Sequence, residues 1–424
     1  MTSEHLDGLL RKLTWRIVPL LAVLYVVSYL DRVNVSFAAL TMNADLGISA
    51  TAYGWGAGIF FIGYLLFQVP SNLLLEKHGP KRWLAIIMVA WGLVSIGMGF
   101  IRNEHEFLIG RFLLGIAEAG FFPGTVLYLT YWFPPSHRAR IIAGFMFGVP
   151  VATIIGAPIS SYILGHFQNG GPLAGWRWLF VIEGAPALIG AAAVLWLLPD
   201  RPATAGWLSP EVRTLLLGAL SPEEKSNQPR KVSQIILSAP VFRYALAYFG
   251  LTISLYGVGL WLPQILKGSG VSTTSAALFS AIPYIVAGLG MLAWGQFADR
   301  QSGALPSNVW IPALAAAVAL GLLPFSGGLV SELVLLSVAA LGTLASIATF
   351  WTLPTNRFDR AESPIAIAAI NSFGNLGGFL GPFMVGWIKD ATGSFKAAAF
   401  FMAAWALITV MSLAVERRRA AKTV

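Results

Sequence analysis

Stretches of predominantly apolar residues, each long enough to cross ~30 Å of hydrocarbon as a helix, recur along almost the whole chain. Twelve are predicted, near 15–38, 52–75, 83–101, 107–132, 139–165, 176–199, 241–266, 273–297, 308–326, 332–355, 364–388 and 396–415. Inside a bilayer every backbone N–H and C=O must be paired within the protein, so such stretches are read as membrane helices and the fold class as all-α. Composition agrees. Of the 424 residues 56% are hydrophobic and 11% charged, whereas ordinary globular chains carry about 25% charged residues. The chain has no cysteine, and its five histidines fall in loops or at helix ends. Structural zinc, iron–sulfur clusters and thiol chemistry are therefore excluded, and no metal or other cofactor is expected.

Most connections are short and rich in turn residues, such as Phe325-Ser326-Gly327-Gly328, as expected between antiparallel helices. One is long and polar. From Asp200 to Pro240 it holds Pro202, Pro210, Pro222, Pro229 and the basic pair Arg230-Lys231, dividing the spans six and six. The predicted units are a six-helix bundle over 1–199, a cytoplasmic linker over 200–240 and a second six-helix bundle over 241–424. Ser209-Pro210-Glu211 and Ser221-Pro222-Glu223 each read as an N-cap, a proline at the first helical position and an acidic first turn, so short surface helices are expected there.

Lysine and arginine set the orientation. With the N-terminus inside, Arg11, Lys12, Arg16, Lys77, Lys81, Arg82, Arg138, Arg140 and Arg417 all lie on the inner side, whereas the outer segments hold Arg102, Arg177, Lys267, Lys389 and Lys396. This asymmetry predicts a multi-pass protein of the cell inner (plasma) membrane with both termini cytoplasmic. It also accounts for the net charge of +9 without nucleic acid. The first apolar run is too long for the core of a signal peptide and carries Asp31-Arg32, so it is expected to remain as a helix.

A charge near the bilayer centre costs ~2.5–3.5 kcal/mol on insertion scales, so intramembrane ionisable residues mark candidate sites. Four stand out: Asp31 and Arg32 in helix 1, Arg111 and Glu118 in helix 4. Arg111 and Glu118 are two turns apart on one face, too far for a direct pair but able to serve one cavity. Asp31 and Arg32 point ~100° apart and need different partners. Arginine keeps its proton and its planar fork suits a carboxylate, so Arg32 is the expected anchor for an anionic substrate, with Arg111 as a second binding residue. Carboxylates are the titratable groups at depth, and Asp31 and Glu118 are the expected proton carriers. The competing reading is permanent interhelical ion pairs. Tyr64 sits in an apolar helix, where its hydroxyl needs a partner; Tyr29 and Tyr256 are candidates of the same kind. Asn371 and Asn375, one turn apart in a Gly-rich stretch, suit either substrate hydroxyls or a helix–helix contact. Trp351 suits an apolar wall or an interface anchor, and Glu183 is expected to pair with Arg177.

Asn72-Leu73-Leu74-Leu75-Glu76-Lys77-His78-Gly79-Pro80-Lys81-Arg82 follows helix 2, and Gly295-Gln296-Phe297-Ala298-Asp299-Arg300-Gln301-Ser302-Gly303 follows helix 8. Both resemble the Gly-x-x-x-Asp-Arg-x-Gly-Arg-Arg loop of the major facilitator superfamily, although Asn72 and Glu76 replace its Gly and Asp, and Ser302 its second Gly. An acid at a helix end beside basic residues is expected to latch onto a neighbouring helix terminus; a plain positively charged loop is the alternative. The strings Tyr25-Val26-Val27-Ser28-Tyr29-Leu30-Asp31-Arg32-Val33-Asn34, Gly63-Tyr64-Leu65-Leu66-Phe67-Gln68-Val69-Pro70 and Arg111-Phe112-Leu113-Leu114-Gly115-Ile116-Ala117-Glu118-Ala119-Gly120 resemble the anion:cation symporter family within it, near tartrate, hydroxyphenylacetate and phthalate permeases.

The resemblance implies twelve transmembrane helices in two pseudo-symmetric six-helix bundles. It implies the same roles for the acid–arginine pairs of helices 1 and 4, and a substrate hydrogen bond from Tyr64. The implied function is secondary active transport: proton-coupled symport, in the import direction, of a small organic carboxylate such as a hydroxy or aromatic acid, by alternating access. No Gly-x-x-x-x-Gly-Lys-Ser/Thr, His-Glu-x-x-His or Gly-x-Ser-x-Gly run points to ATP hydrolysis or another enzymatic activity. Anion exchange or sodium coupling at the same site, or a non-transporting membrane sensor, are the alternatives. The expected partners are the organic anion, protons and the lipid bilayer, with the protein a monomer.

Overall fold

The computed structural model describes residues 3–420 apart from 135–136, 138–140, 142–143, 146, 168–171, 221–230, 302–304 and 360–361. Eleven helical segments are long and apolar enough to cross a membrane: α1 Gly8–Leu46, α2 Ala50–His78, α3 Pro80–Met98, α4 Glu104–Thr130, α5 Gly148–His166, α6 Gly175–Leu197, α7 Ala239–Gly259, α8 Thr273–Asp299, α9 Ser307–Phe325, α10 Leu329–Arg357 and α12 Phe395–Ala414. The twelfth, α11 Ser363–Thr392, is a continuous helix of 30 residues. It falls short in hydropathy and not in length, because Asn371, Ser372, Asn375 and a run of glycines dilute its apolar residues. Arg138 and Arg140, at the expected start of helix 5, lie outside the described residues.

The packing repeats with an offset of six. In the first half α1 packs on α5 and α6, α2 on α4, and α3 on α4 and α6. In the second half α7 packs on α11 and α12, α8 on α10, and α9 on α10 and α12. Adding six to each member of the first set generates the second, so the two bundles share one architecture. The halves meet where α2 faces α11 and α5 faces α8, two contacts that exchange under the same offset. Close approach depends on small residues. A Cβ on Gly115 of α4 would run into the Phe60 carbonyl oxygen of α2, and one on Gly386 of α11 into the Ala50 carbonyl oxygen. Gly115→Ala is therefore expected to push α2 and α4 apart and to destabilise the protein by about 1–3 kcal/mol, read as a fall in the midpoint of thermal unfolding in detergent.

Hydrogen bonds between the halves cluster at the end opposite the N-terminus. Lys267 Nζ donates to Leu40 O at 2.6 Å, Tyr53 Oη to Leu260 O at 2.8 Å and Ser161 Oγ to Thr274 O at 2.8 Å. Asp390, near the end of α11, accepts from Thr51 N at 2.7 Å and Thr51 Oγ1 at 2.6 Å. It thus caps the N-terminus of a helix that belongs to the other bundle. Loss of an N-cap costs ~1 kcal/mol, so Asp390→Ala is expected to raise the population open at this end about fivefold. The chain lacks cysteine. A single cysteine introduced at Gln264 should therefore report the change through faster labelling by an impermeant maleimide.

Ser209 caps the short helix Pro210–Ala219 and accepts from Val212 N, as its motif predicts. Glu211 in its first turn is held below the usual carboxylate range by backbone N–H donation and by Ser209. Trp207, just before it, stacks on Trp132 with ring centroids 6.0 Å apart and lies under the Arg16 guanidinium at 4.4 Å, fastening this segment to the first bundle. The second capping motif, at Ser221, lies outside the described residues. The acids expected to latch the two loops, Glu76 and Asp299, are both exposed. The acid that caps a helix here is Asp200, whose Oδ1 accepts from Lys81 N at 2.9 Å at the start of α3. Gly79 takes φ +84 beside it, a backbone conformation that favours glycine.

Candidate functional site

The four intramembrane charges gather among α1–α4, with Asp31, Arg32 and Glu118 deep in their helices and Arg111 two turns nearer the start of α4 than Glu118. Arg32 Nη2 lies 3.1 Å from Glu118 Oε2, a salt bridge between residues 86 positions apart. Asp31, one residue earlier and turned away as a helix requires, accepts from Asn34 Nδ2 at 3.0 Å and from Ser95 Oγ of α3. Arg111 takes no carboxylate; its Nε donates to the Gly56 carbonyl of α2 at 3.3 Å. Asp31, Arg111 and Glu118 are fully buried, while Arg32 retains 8% exposure and is the reachable member of the four.

Several strong hydrogen-bonding atoms in this cluster are buried without a protein partner: Arg32 Nε, both Arg111 Nη atoms, Glu118 Oε1 and Asp31 Oδ2. Most buried polar groups are satisfied, so unspent donors on two guanidiniums mark a place built to receive an acceptor. Phe60 organises it. The guanidinium carbons of Arg32 and Arg111 both lie 5.1 Å from its ring centroid. Such contacts offset part of the burial cost of the cations without satisfying their N–H groups. Tyr64 and Tyr29 flank Arg32 at 5.2 and 5.8 Å from their ring centroids.

The second bundle contributes Tyr256, whose ring packs at a tilt against Phe61 of α2 with centroids 4.3 Å apart. It lies within electrostatic reach of Arg32, Tyr25, Tyr29 and Tyr64. Tyr248 and Tyr284 lie near Tyr256 as well. Trp351 sits at the break in α10 against Tyr248 and Phe350, with centroids 4.8 and 5.2 Å away, and forms an aromatic wall inside the protein. Asn371 and Asn375 are half-buried on α11. They share a side of that helix with Gly378, which packs on the Phe61 ring; they are not joined to the four charges.

One expected pair does not form. Glu183 is buried, but its Oε1 accepts from Ser160 Oγ at 2.6 Å, and Arg177 instead donates to the carbonyls of Gly99 and Ile101 at 3.0 and 2.9 Å. Arg177 begins α6 at the protein's end, where free carbonyls at the close of α3 are nearer than a carboxyl almost two turns further in. Ser95, Asn34 and Phe60 complete the site although nothing in their spacing singles them out. The one usable signal was the string around Asp31, which already contains Asn34.

Residues 21–382 match the sequence model of the family described as Major Facilitator Superfamily. A protein of Agrobacterium vitis provisionally named a tartrate transporter is 44% identical over 429 aligned residues, covering 100% of this chain and 94% of its own length. A quinolone resistance transporter of Acinetobacter baumannii is 40% identical, covering 93% of this chain and 91% of its own. Among solved structures, a D-xylose-proton symporter superimposes with a TM-score of 0.77 at 16% identity, covering 94% of this chain and 96% of that one.

Proposed function

This chain belongs to the major facilitator superfamily, a family of secondary transporters, and from that premise we propose that it carries a small organic carboxylate together with protons by alternating access. The observation that carries the reading is the buried Arg32–Glu118 pair with unspent donors on Arg32 and Arg111. Arg32 faces two anions that compete for it. While Glu118 is ionised it occupies the guanidinium. Once Glu118 takes a proton, its hold weakens and a substrate carboxylate takes its place with bidentate geometry. Each proton that enters with one carboxylate group leaves the net charge of the buried site unchanged, which is what a low-dielectric interior favours, and a dicarboxylate balances with two protons. Arg111 adds a second positive charge, and the tyrosines supply hydroxyl groups around the anion.

The name given to the 44% identical relative supports tartrate as the first substrate to try. The reading places both termini in the cytoplasm and the unit of transport in one chain, with bundles 1–199 and 241–424 rocking about the site and 200–240 linking them. The contacts among Leu40, Tyr53, Asp390 and Lys267 would then close the outer side. In proteoliposomes an acid-outside pH gradient is expected to drive tartrate accumulation, with alkalinisation of the outer medium as protons enter with the anion. Counterflow of tartrate without any response to the gradient would replace symport by exchange, and no tartrate movement of either kind would remove this substrate.

A further inference from the structure

At the outer end of the first bundle lies a cavity of about 420 Å³ lined by Thr41, Leu164, Trp176 and Thr273, with Asp45 and Ala174 at its exposed rim. Thr273 of α8 closes one side of it, and it shares no lining residue with the Arg32–Glu118 site. Its three walls from the first bundle continue inward as helix faces. On α1, two turns below Thr41, comes Asn34 and then Asp31; on α5, one turn below Leu164, comes Ser160; on α6, two turns below Trp176, comes Glu183.

Along these faces runs a series of buried polar atoms without protein partners: Thr41 Oγ1, Asn34 Oδ1, Thr153 Oγ1, Glu183 Oε2 and Asp31 Oδ2. Orphaned atoms of this kind in a close-packed interior are where bound water belongs, since a water bridging two or three of them satisfies each. Glu183 is 6% exposed and Ser160 fully buried. The polar and charged groups around Glu183 are few. Ser160 of α5 donates to it, and Asp31 of α1 is within electrostatic reach. From α3, Ser95 packs against Gly184 while donating to Asp31. Arg177 of its own helix is engaged elsewhere, and Asp45 at the rim accepts from Trp176 Nε1 at 2.8 Å. Among the described residues no cation faces the carboxyl, and an uncompensated charge in such a place is costly, so it holds its proton.

We propose that this seam between α1, α5 and α6 is a proton entry route from the outer cavity to Asp31, and that Glu183 is the proton-binding group along it. The step is a transfer of one proton through bound water from the Glu183 carboxyl to Asp31, whose ionised form accepts two hydrogen bonds and lies within electrostatic reach of Arg111, and from Asp31 on to Glu118, with Glu183 then reprotonated from the outer cavity. It lets the coupling proton arrive without crossing the substrate's own path. The inference rests on the proton-coupled reading above.

The test uses the full chain with two readouts. In proteoliposomes with tartrate as probe, Glu183→Gln and Thr41→Leu, which plugs the seam without removing a titratable group, should each slow acid-outside-driven uptake by at least about tenfold. Both should leave counterflow within about twofold of wild type, because exchange needs no proton entry. Wild-type gradient-driven rates in both variants would overturn the proposal. The second readout needs no substrate. Infrared spectra of the purified protein should show a protonated-carboxyl stretch that Glu183→Gln lacks and whose shift in D2O slows in Thr41→Leu. A spectrum unchanged by Glu183→Gln would overturn the assignment even if wild-type uptake responds to pH. Wild-type protein that ignores the gradient yet shows the Glu183 band and its slowed exchange would instead remove proton coupling and leave the route standing.

Discussion

Arg32→Lys is expected to weaken substrate binding at least about tenfold and Arg32→Ala about a hundredfold, the range implied by losing charge-assisted hydrogen bonds of ~1.5–3 kcal/mol. Lysine keeps the charge and can still reach Glu118, yet it presents a point charge where the site needs a planar fork. In the native arrangement Nη2 holds Glu118 and Nε is unspent, so a carboxylate that displaces Glu118 gains two donors at once. Alanine also strands Glu118 at full burial, and breaking a buried pair costs ~3–5 kcal/mol, so instability must be separated from lost recognition. The double variant Arg32→Ala/Glu118→Gln makes that separation: it should recover thermal stability while binding stays lost. Calorimetric titration of the purified variants with tartrate measures binding, and their thermal unfolding in detergent measures stability. Near wild-type affinity in Arg32→Ala would remove Arg32 as the anchor.

The helices were legible in the sequence because burial in lipid needs long apolar runs, and eleven of them announce themselves by hydropathy. α11 counts among the twelve as an apolar run near 364–388, and its asparagines and glycines make it the span a stricter hydropathy criterion misses. The four charges were legible one by one, since an Asp or Arg in such a run is conspicuous. Their partners were not. Helix geometry alone excludes the Asp31–Arg32 and Arg111–Glu118 pairs, but that Arg32 meets Glu118 depends on how α1 packs near α4, a matter of helix rotation that no local pattern encodes. Arg111 was expected to share the cavity, and its bond to the Gly56 carbonyl follows from the close approach of α2 and α4 at glycines. Tyr25, Tyr248 and Tyr284 were passed over for a related reason: in an apolar helix a tyrosine that faces a cavity looks the same as one in the core. Glu183 stands out in the sequence but its partner Ser160 does not, because a serine hydroxyl on a neighbouring helix is a weaker sequence signal than an arginine six positions away.

Glu118→Gln is expected to retain tartrate counterflow within a few-fold of wild type and to lose gradient-driven accumulation by at least about a hundredfold, the scale on which a positioned proton carrier acts. The amide has the shape of a protonated carboxyl, so the variant mimics the loaded state permanently. In that state Arg32 is free for substrate, which binds and exchanges across the membrane without any proton leaving. Net uptake fails for a specific reason. To return empty the native carrier releases its proton, and the ionised Glu118 then recaptures Arg32; glutamine makes no such ion pair, so the empty site keeps an uncompensated arginine and the return is blocked. Asp31→Asn tests the other carboxyl. Its oxygens are held by Ser95 and Asn34 and not by a cation, so the amide loses less electrostatic energy there, but its new N–H group faces donors that already point inward. It is expected to reduce both counterflow and accumulation, through the orientation of α1 beside Arg32. Loss of accumulation with counterflow intact in Glu118→Gln alone assigns the coupling proton to Glu118. Full concentrative uptake by both amide variants would show that neither carboxyl carries it, and would turn the mechanism to exchange or sodium coupling.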